Sequence, residues 1–321
     1  ERYGIEIADF FASDGFVRGH SFHGKVVLSY SDTKAKYGAE NMIVLISFGS
    51  SLPDVLELLR RVDAECETYA PDVPVCDGEI FNYEFFNSHK DEIERVHSLL
   101  TDEESKKIYE NVILYKLTGK LCYLFDAECD KNESYSLLGA EHFRSAADLG
   151  AYNGDTVREL MRYSPNIERI HAFEPDRRNF RKLSDFASDL PDTLRLSLHH
   201  CAAWDREEEL LFDDSGNRNA GYDPSARKTA CVLGLPLDAI LGGEAVDYIK
   251  YDVEGAERDA LRGSRAIIAR HAPSLLVSAY HRSEDIFALP LLVHELHPGY
   301  RLYLRRMAGG PAWDLNLYAV E

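Results

Sequence analysis

Residues 146–156, Ala146-Ala147-Asp148-Leu149-Gly150-Ala151-Tyr152-Asn153-Gly154-Asp155-Thr156, decide how the rest of the chain is read. A short apolar run meets an aspartate, two glycines follow, and Val157, Leu160 and Met161 then recur at helical spacing. The stretch spells strand, tight turn, helix. Gly150 and Gly154 let the backbone pass close to a ligand, and free N–H groups at a helix N-terminus favour an anionic group there. By itself this supports a nucleotide-like ligand about as readily as an ordinary strand-to-helix turn.

Outward from that unit the pattern is regular. Strands are expected at Arg169 to Phe173, Leu194 to His200, Tyr248 to Val253, Leu275 to Tyr280, Tyr300 to Arg305 and Leu315 to Val320, with helical segments separating the first five strands of the series. This is the signature of an α/β fold, a Rossmann-like, seven-stranded doubly wound sheet with an antiparallel edge, whose ligands bind at the carboxyl ends of the strands. The second strand runs into Glu174-Pro175-Asp176, placing an acid where a ribose diol needs an acceptor. The third ends in Cys201-Ala202-Ala203-Trp204-Asp205, where small residues and an aromatic suit an adenine face, although Trp204 is equally at home in a core.

Upstream, Lys25 to Tyr30 and Met42 to Ser47 read as buried strands, and Ile5 to Phe16 as an amphipathic stretch. Ser51, Leu52 and Pro53 open a helix with Val55, Leu58, Leu59 and Val62 on one face, and Glu67 to Val75 returns as an edge strand limited by Pro71 and Pro74. The expected organisation is a small α/β Rossmann-like half-domain over 1–90, a helical connector over 91–140 and a ligand-binding domain over 141–321. Thr101-Asp102-Glu103-Glu104 caps the second of two connector helices. Gly49 after the second upstream strand is a turn glycine, since no complete G-x-G-x-x-G loop surrounds it.

The chain has 321 residues, 45% hydrophobic and 28% charged, enough to bury a sizeable core. Its formal net charge of -19 argues against nucleic acid and anionic membrane surfaces as partners. No uninterrupted apolar run reaches roughly 18 residues. Six scattered cysteines without a C-x-x-C pair suggest neither a zinc knuckle nor a disulfide scaffold, so a reducing cytoplasm is expected; Glu1 in place of Met leaves a removed targeting segment open.

A third motif, Lys250-Tyr251-Asp252-Val253-Glu254-Gly255-Ala256-Glu257, follows the fourth strand. With the loop at Asp148 to Thr156 and with Phe173-Glu174-Pro175 it resembles the FkbM-type methyltransferases, whose members read Asp-x-Gly-Ala-x-x-Gly-Asp-Thr, Phe-Glu-Pro and Lys-x-Asp-x-Glu-Gly-x-Glu in that order. The likeness extends to Ala279-Tyr280-His281 with Asp285 and to the closing strand, and leaves the first 120 or so residues outside. It implies a class I methyltransferase fold, S-adenosyl-L-methionine as donor, and O-methylation of a small hydroxylated acceptor such as a sugar or natural product. Many members carry Asn directly after Gly-Ala; here Tyr152 precedes Asn153, which alters side-chain contacts of that loop while leaving its backbone contacts.

The donor is then expected on Asp148, Gly150, Ala151, Tyr152, Asn153, Gly154, Asp155, Thr156, Glu174, Pro175, Ala202, Ala203, Trp204 and Asp252. Transfer to oxygen needs a proton acceptor, and His281 is the favoured base because an imidazole titrates near neutrality. Asp252 faces the sulfonium or the acceptor, and Glu254 either joins it or caps the next helix. Asp252, Glu254 and His281 also offer ligands for Mg²⁺, with the metal-free reading preferred. Lys250 and Glu257 are read as a structural ion pair. His20 and His23 have H-x-x-H spacing but no third ligand, and His199 and His200 point to opposite faces of a strand. The alternatives are an NAD-dependent oxidoreductase on the same glycine loop and Glu174, and a cofactor-binding interaction module without turnover; an oligomer is open.

Overall fold

The computed structural model describes residues 4–76, 78–191, 193–213, 229–310 and 314–321. Seven strands, Ser145–Leu149, Arg169–Phe173, Arg195–His199, Tyr248–Tyr251, Ser274–Ser278, Arg301–Arg306 and Leu315–Val320, form one sheet. From edge to edge they lie in the order third, second, first, fourth, fifth, seventh, sixth. The first five are parallel to one another; the seventh runs antiparallel to the fifth and sixth, one place in from the edge. Strand order reverses between the first and fourth strands, and Lys250 lies opposite Asp148 in that register. A reversal of this kind leaves a crevice at the carboxyl ends of the two strands.

The sheet is covered on both sides, which explains why its central strands are buried and mostly apolar, Asp148 and Lys250 facing each other as the charged exceptions. Alternate residues go to opposite faces. Leu149, Ile249, Tyr251, Leu275 and Val277 pack under Ile108, Val112, Leu261, Ile268, Ile286 and Val293. Ala146, Ile170, Ala172, Tyr248 and Tyr318 pack against Tyr135, Val157, Leu160 and Leu183.

Between the third and fourth strands a small sheet of Ala202–Ala203, Glu208–Asp213 and Thr229–Leu235 was not foreseen. Its hairpin pairs Leu210 with Val232, while Gly234 and Leu235 pair in parallel with Ala202 and Ala203, so it fixes the segment that carries Trp204.

Upstream, the two expected strands belong to different sheets. Lys25–Ser29 pairs with Phe10–Ala12, inside the stretch read as amphipathic, and with Ser21–Phe22. Ile43–Leu45 pairs in parallel with Glu67–Tyr69 across helix Pro53–Glu65, whose Leu56, Leu59 and Val62 are buried. The latter strand stops short of Pro71, a residue unable to donate to a ladder. Two helices, Lys90–Leu99 and Glu103–Thr118, occupy the expected connector, joined by the shorter Tyr83–Ser88, Leu121–Phe125 and Lys131–Leu137. Asp102 caps the longer one by accepting from the Ser105 N–H at 2.8 Å. This region is stitched to the sheet through Thr101 N–H to Leu302 carbonyl and Cys129 N–H to Arg306 carbonyl, each 2.9 Å. Among the described residues no helix is long and apolar enough to cross a membrane.

Candidate functional site

A cavity of about 360 Å³ opens at the carboxyl ends of the first and fourth strands. Of the residues expected to hold a donor, Gly150, Tyr152, Asp155, Thr156, Glu174, Pro175, Ala202, Ala203, Trp204 and Asp252 line it, as does Glu254. Asp148, Ala151, Asn153, Gly154 and His281 stand behind its wall. Tyr280, Asp314, Asn316 and Tyr318 also line it, and sequence reasoning assigned them no contact.

The first loop is shaped by left-handed backbone at Gly150 (φ 95°) and Gly154 (φ 86°). A β-carbon on Gly150 would sit 1.9 Å from the Asp252 carbonyl oxygen, so only glycine lets the two strand ends close together. Most of the loop's amides are not free, contrary to expectation. Gly150 and Ala151 N–H donate to the Phe173 carbonyl, Tyr152 N–H to Glu174 Oε2 at 2.8 Å, and Asp155 N–H to Asn153 Oδ1. The loop has closed onto the second strand because the chain satisfies its own buried donors first. Asn153 therefore acts on the loop itself, and Ala151 is wholly buried in the core.

Glu174 is held by two backbone donors, Tyr152 and Asp176, both at 2.8 Å. Burial pushes its carboxyl up to about 8 against the pull of those N–H groups. It remains at the pocket wall. Trp204 is buried, and its indole N–H donates to Glu208 Oε1 at 2.5 Å, which orients the ring at the pocket.

Lys250 does not pair with Glu257. Its Nζ lies 3.4 Å from Asp148 Oδ1 and 3.3 Å from Asp252 Oδ2, because strand register brings Asp148 opposite it. Burial works against the ammonium, yet the two carboxylates raise its pKa overall. Asp148 is thus a buried counter-ion beneath the pocket, raised by desolvation, whereas Asp252 is lowered: Lys250 and His281 outweigh its burial.

His281 is fully buried. Its Nδ1 is 3.0 Å from Glu257 Oε1, and its Nε2 is 3.4 Å from Glu254 Oε2 and 3.6 Å from Asp252 Oδ1. Burial disfavours the imidazolium, but these carboxylates push its pKa up to about 10. The surrounding carboxylates thus favour the charged ring, a form that has no lone pair with which to take a proton. Glu254, in contrast, is raised by burial to about 7 and reaches the pocket from a left-handed backbone, φ 52°. Asp285 accepts from the Arg282 N–H at 2.7 Å instead of from the imidazole.

Asp252, Glu257 and His281 bring donor atoms within 4.8 Å of one another. The set suits Mg²⁺ poorly. That ion prefers an octahedron of oxygens with several waters, while here one donor is an imidazole already facing a carboxylate, and both it and Glu257 are sealed from the cavity. The other histidine motifs do not gather ligands: His20 and His23 are exposed, His199 Nε2 meets His171 Nδ1 at 3.1 Å, and His200 stacks on Phe180.

The family model described as the methyltransferase FkbM domain matches residues 148–308. The solved structure of methyltransferase FkbM from Methylobacillus flagellatus KT is similar over 97% of this chain and 82% of its own, with 21% identity and a TM-score of 0.72. That likeness of fold therefore takes in the upstream region as well. An rRNA methylase from Streptococcus thermophilus covers 59% of this chain and 94% of its own at 14% identity and a TM-score of 0.38. Aeropyrum pernix fibrillarin, solved with natively bound S-adenosyl-L-methionine, covers 59% and 74% at 14% identity and a TM-score of 0.36. No curated protein sequence matches this chain.

Proposed function

Because the chain belongs to the FkbM methyltransferase family, we propose that it methylates a hydroxyl group of a small acceptor such as a sugar, with S-adenosyl-L-methionine as donor. One observation carries the reading: Asp252 and Glu254 face the same cavity as Gly150, Glu174 and Trp204, so the carboxylates and the residues proposed to hold the donor share one space. Bound there, the donor supplies a methyl group on a sulfonium, an electrophile that needs no further activation.

The rest falls to the chain's own side chains. Glu174 accepts from a diol, Ala202, Ala203 and Trp204 cover a flat ring, and the helix at Asp155 faces the polar end. Glu254 is the proposed general base, since a carboxyl titrating near 7 both accepts and releases a proton at neutral pH. Asp252, kept ionised by Lys250, orients the acceptor hydroxyl and offers negative charge to a cation. His281, the base expected from the sequence, takes the role of fixed positive charge behind both. In our reading residues 141–321 hold most of this site, Lys131 and Tyr135 of 91–140 line the same cavity, and 1–90 serves as a buttress; the six free cysteines support a reducing compartment such as the cytoplasm.

Calorimetric titration with S-adenosylhomocysteine, with NADH in parallel, tests the donor. Micromolar binding of the first alone is expected; saturation by NADH alone would replace the proposal with an oxidoreductase. Transfer of labelled methyl to a panel of sugars and phenols then tests the acceptor. Glu254→Gln should lower turnover about 100-fold while leaving S-adenosylhomocysteine affinity within threefold.

A further inference from the structure

Glu257 begins helix Glu257–Arg262 and is 1% exposed, out of reach of the cavity. Its Oε1 accepts from Val253 N–H at 2.9 Å and Gly255 N–H at 3.3 Å, and the same oxygen stands 3.0 Å from His281 Nδ1. The residues it ties down are unusual in backbone: Glu254 has φ 52° and Gly255 φ 91°. A non-glycine residue persists in that region only where its surroundings over-determine it. On the far edge of the imidazole, Nε2 faces Glu254 and Asp252, the two carboxylates that reach the cavity.

We infer that Glu257 is a positioning residue: it folds the Val253–Gly255 loop and sets the plane of His281, so that Asp252 and Glu254 are presented to the cavity as one fixed array. The Glu257 oxygen 3.0 Å from Nδ1 makes an ion-pair contact without hydrogen-bond alignment; its charge favours a proton on that nitrogen and leaves Nε2 on the pocket side. The backbone on both sides is anchored too, since the His281 carbonyl accepts from Cys76 N–H at 3.0 Å, and the Cys76 thiol donates to the Glu254 carbonyl at 3.1 Å. The charged groups facing His281 are Glu257, Asp252, Glu254 and, farther off, Asp285. Helix capping alone would need only an oxygen at Glu257, whereas orientation of the histidine needs its negative charge.

The inference rests on the reading that Asp252 and Glu254 face the acceptor, and its test is kept separate from that reading. The full chain labelled with ¹⁵N-histidine is compared as wild type and Glu257→Gln, with His281 signals assigned through His281→Asn. Wild type should show a downfield Nδ1–H that exchanges slowly with water. In Glu257→Gln, which keeps an oxygen for the loop amides, exchange should quicken at least tenfold, while S-adenosylhomocysteine affinity stays within threefold. Unchanged exchange in Glu257→Gln would reduce Glu257 to a cap and overturn the inference. Should that variant fail to fold, the wild-type spectrum decides: a slowly exchanging Nδ1–H upholds the inference, and its absence overturns it. Loss of S-adenosylhomocysteine binding in wild type would remove the methyltransferase reading without touching the His281 result.

Discussion

Gly150 is where a single side chain decides most. Alanine there meets a backbone oxygen at 1.9 Å and must adopt φ 95°, so Gly150→Ala should cost about 3 kcal/mol by overpacking and strain together. Urea unfolding would show the loss, and S-adenosylhomocysteine titration should show weakened binding, because the wall of the pocket moves. Glu174 tests the opposite kind of residue, one the fold tolerates at a cost. Its carboxyl is raised to about 8, so the native state binds its proton more tightly than the unfolded chain between roughly pH 4.5 and 8, and stability falls as pH rises through that window. Glu174→Gln should therefore become progressively more stable relative to wild type from pH 5 to 8, read as a difference in Tm, while losing affinity for a ribose-bearing ligand. The glycines and Glu174 were legible in the sequence because spacing from a strand end fixes them. The partner of Glu257 was not: Lys250 looks nearest along the chain, but strand pairing gives it to Asp148 and leaves His281, 24 residues on, for Glu257.

At the level of elements, the central sheet strands Ser145–Leu149, Tyr248–Tyr251 and Ser274–Ser278 could be read because each is a short, almost wholly buried run, whereas Arg195–His199 at the edge is half-buried. The hairpin of Glu208–Asp213 and Thr229–Leu235 was missed since Glu208 and Glu209 open it with charge and its apolar alternation is brief. Helix Glu103–Thr118 shows how a local signal acquires a distant duty. Asp102 caps it and also accepts from the Arg305 guanidinium at 2.6 Å, while Ser105 Oγ accepts from Leu304 N–H at 2.9 Å, tying the helix to the sixth strand. Asp102→Ala should destabilise the protein by about 2 kcal/mol, the upper range for loss of a cap, since Glu104 still neutralises Arg305. Denaturant unfolding measures this, and donor affinity should be unchanged because the contact lies outside the cavity.

For the molecule as a whole, several buried groups titrate with one sign. Burial raises Glu254 and Asp285, as it does Glu174, and the carboxylate ring raises His281 to about 10. Each holds its proton more tightly in the native state; His171 and His199, lowered by burial, act with the opposite sign up to about pH 6.5, so the decline toward pH 9 starts with the carboxyls and steepens above the unfolded imidazole value near 6.5 through His281. Without ligand, Tm should fall by about 5 °C between about pH 6.5 and 9. A flat profile in scanning calorimetry would contradict the arrangement of charges described here.

The contact between Gly150 and the Asp252 carbonyl has a bearing on redesign. With the two strand ends in backbone contact, the loop proposed to cradle the donor and the carboxylates proposed to meet the acceptor form a single hinge-free joint. Changing what the enzyme accepts must then proceed from the opposite bank of the cavity, through Tyr280, Asn316 and Tyr318, where side chains can be exchanged without prising that joint apart.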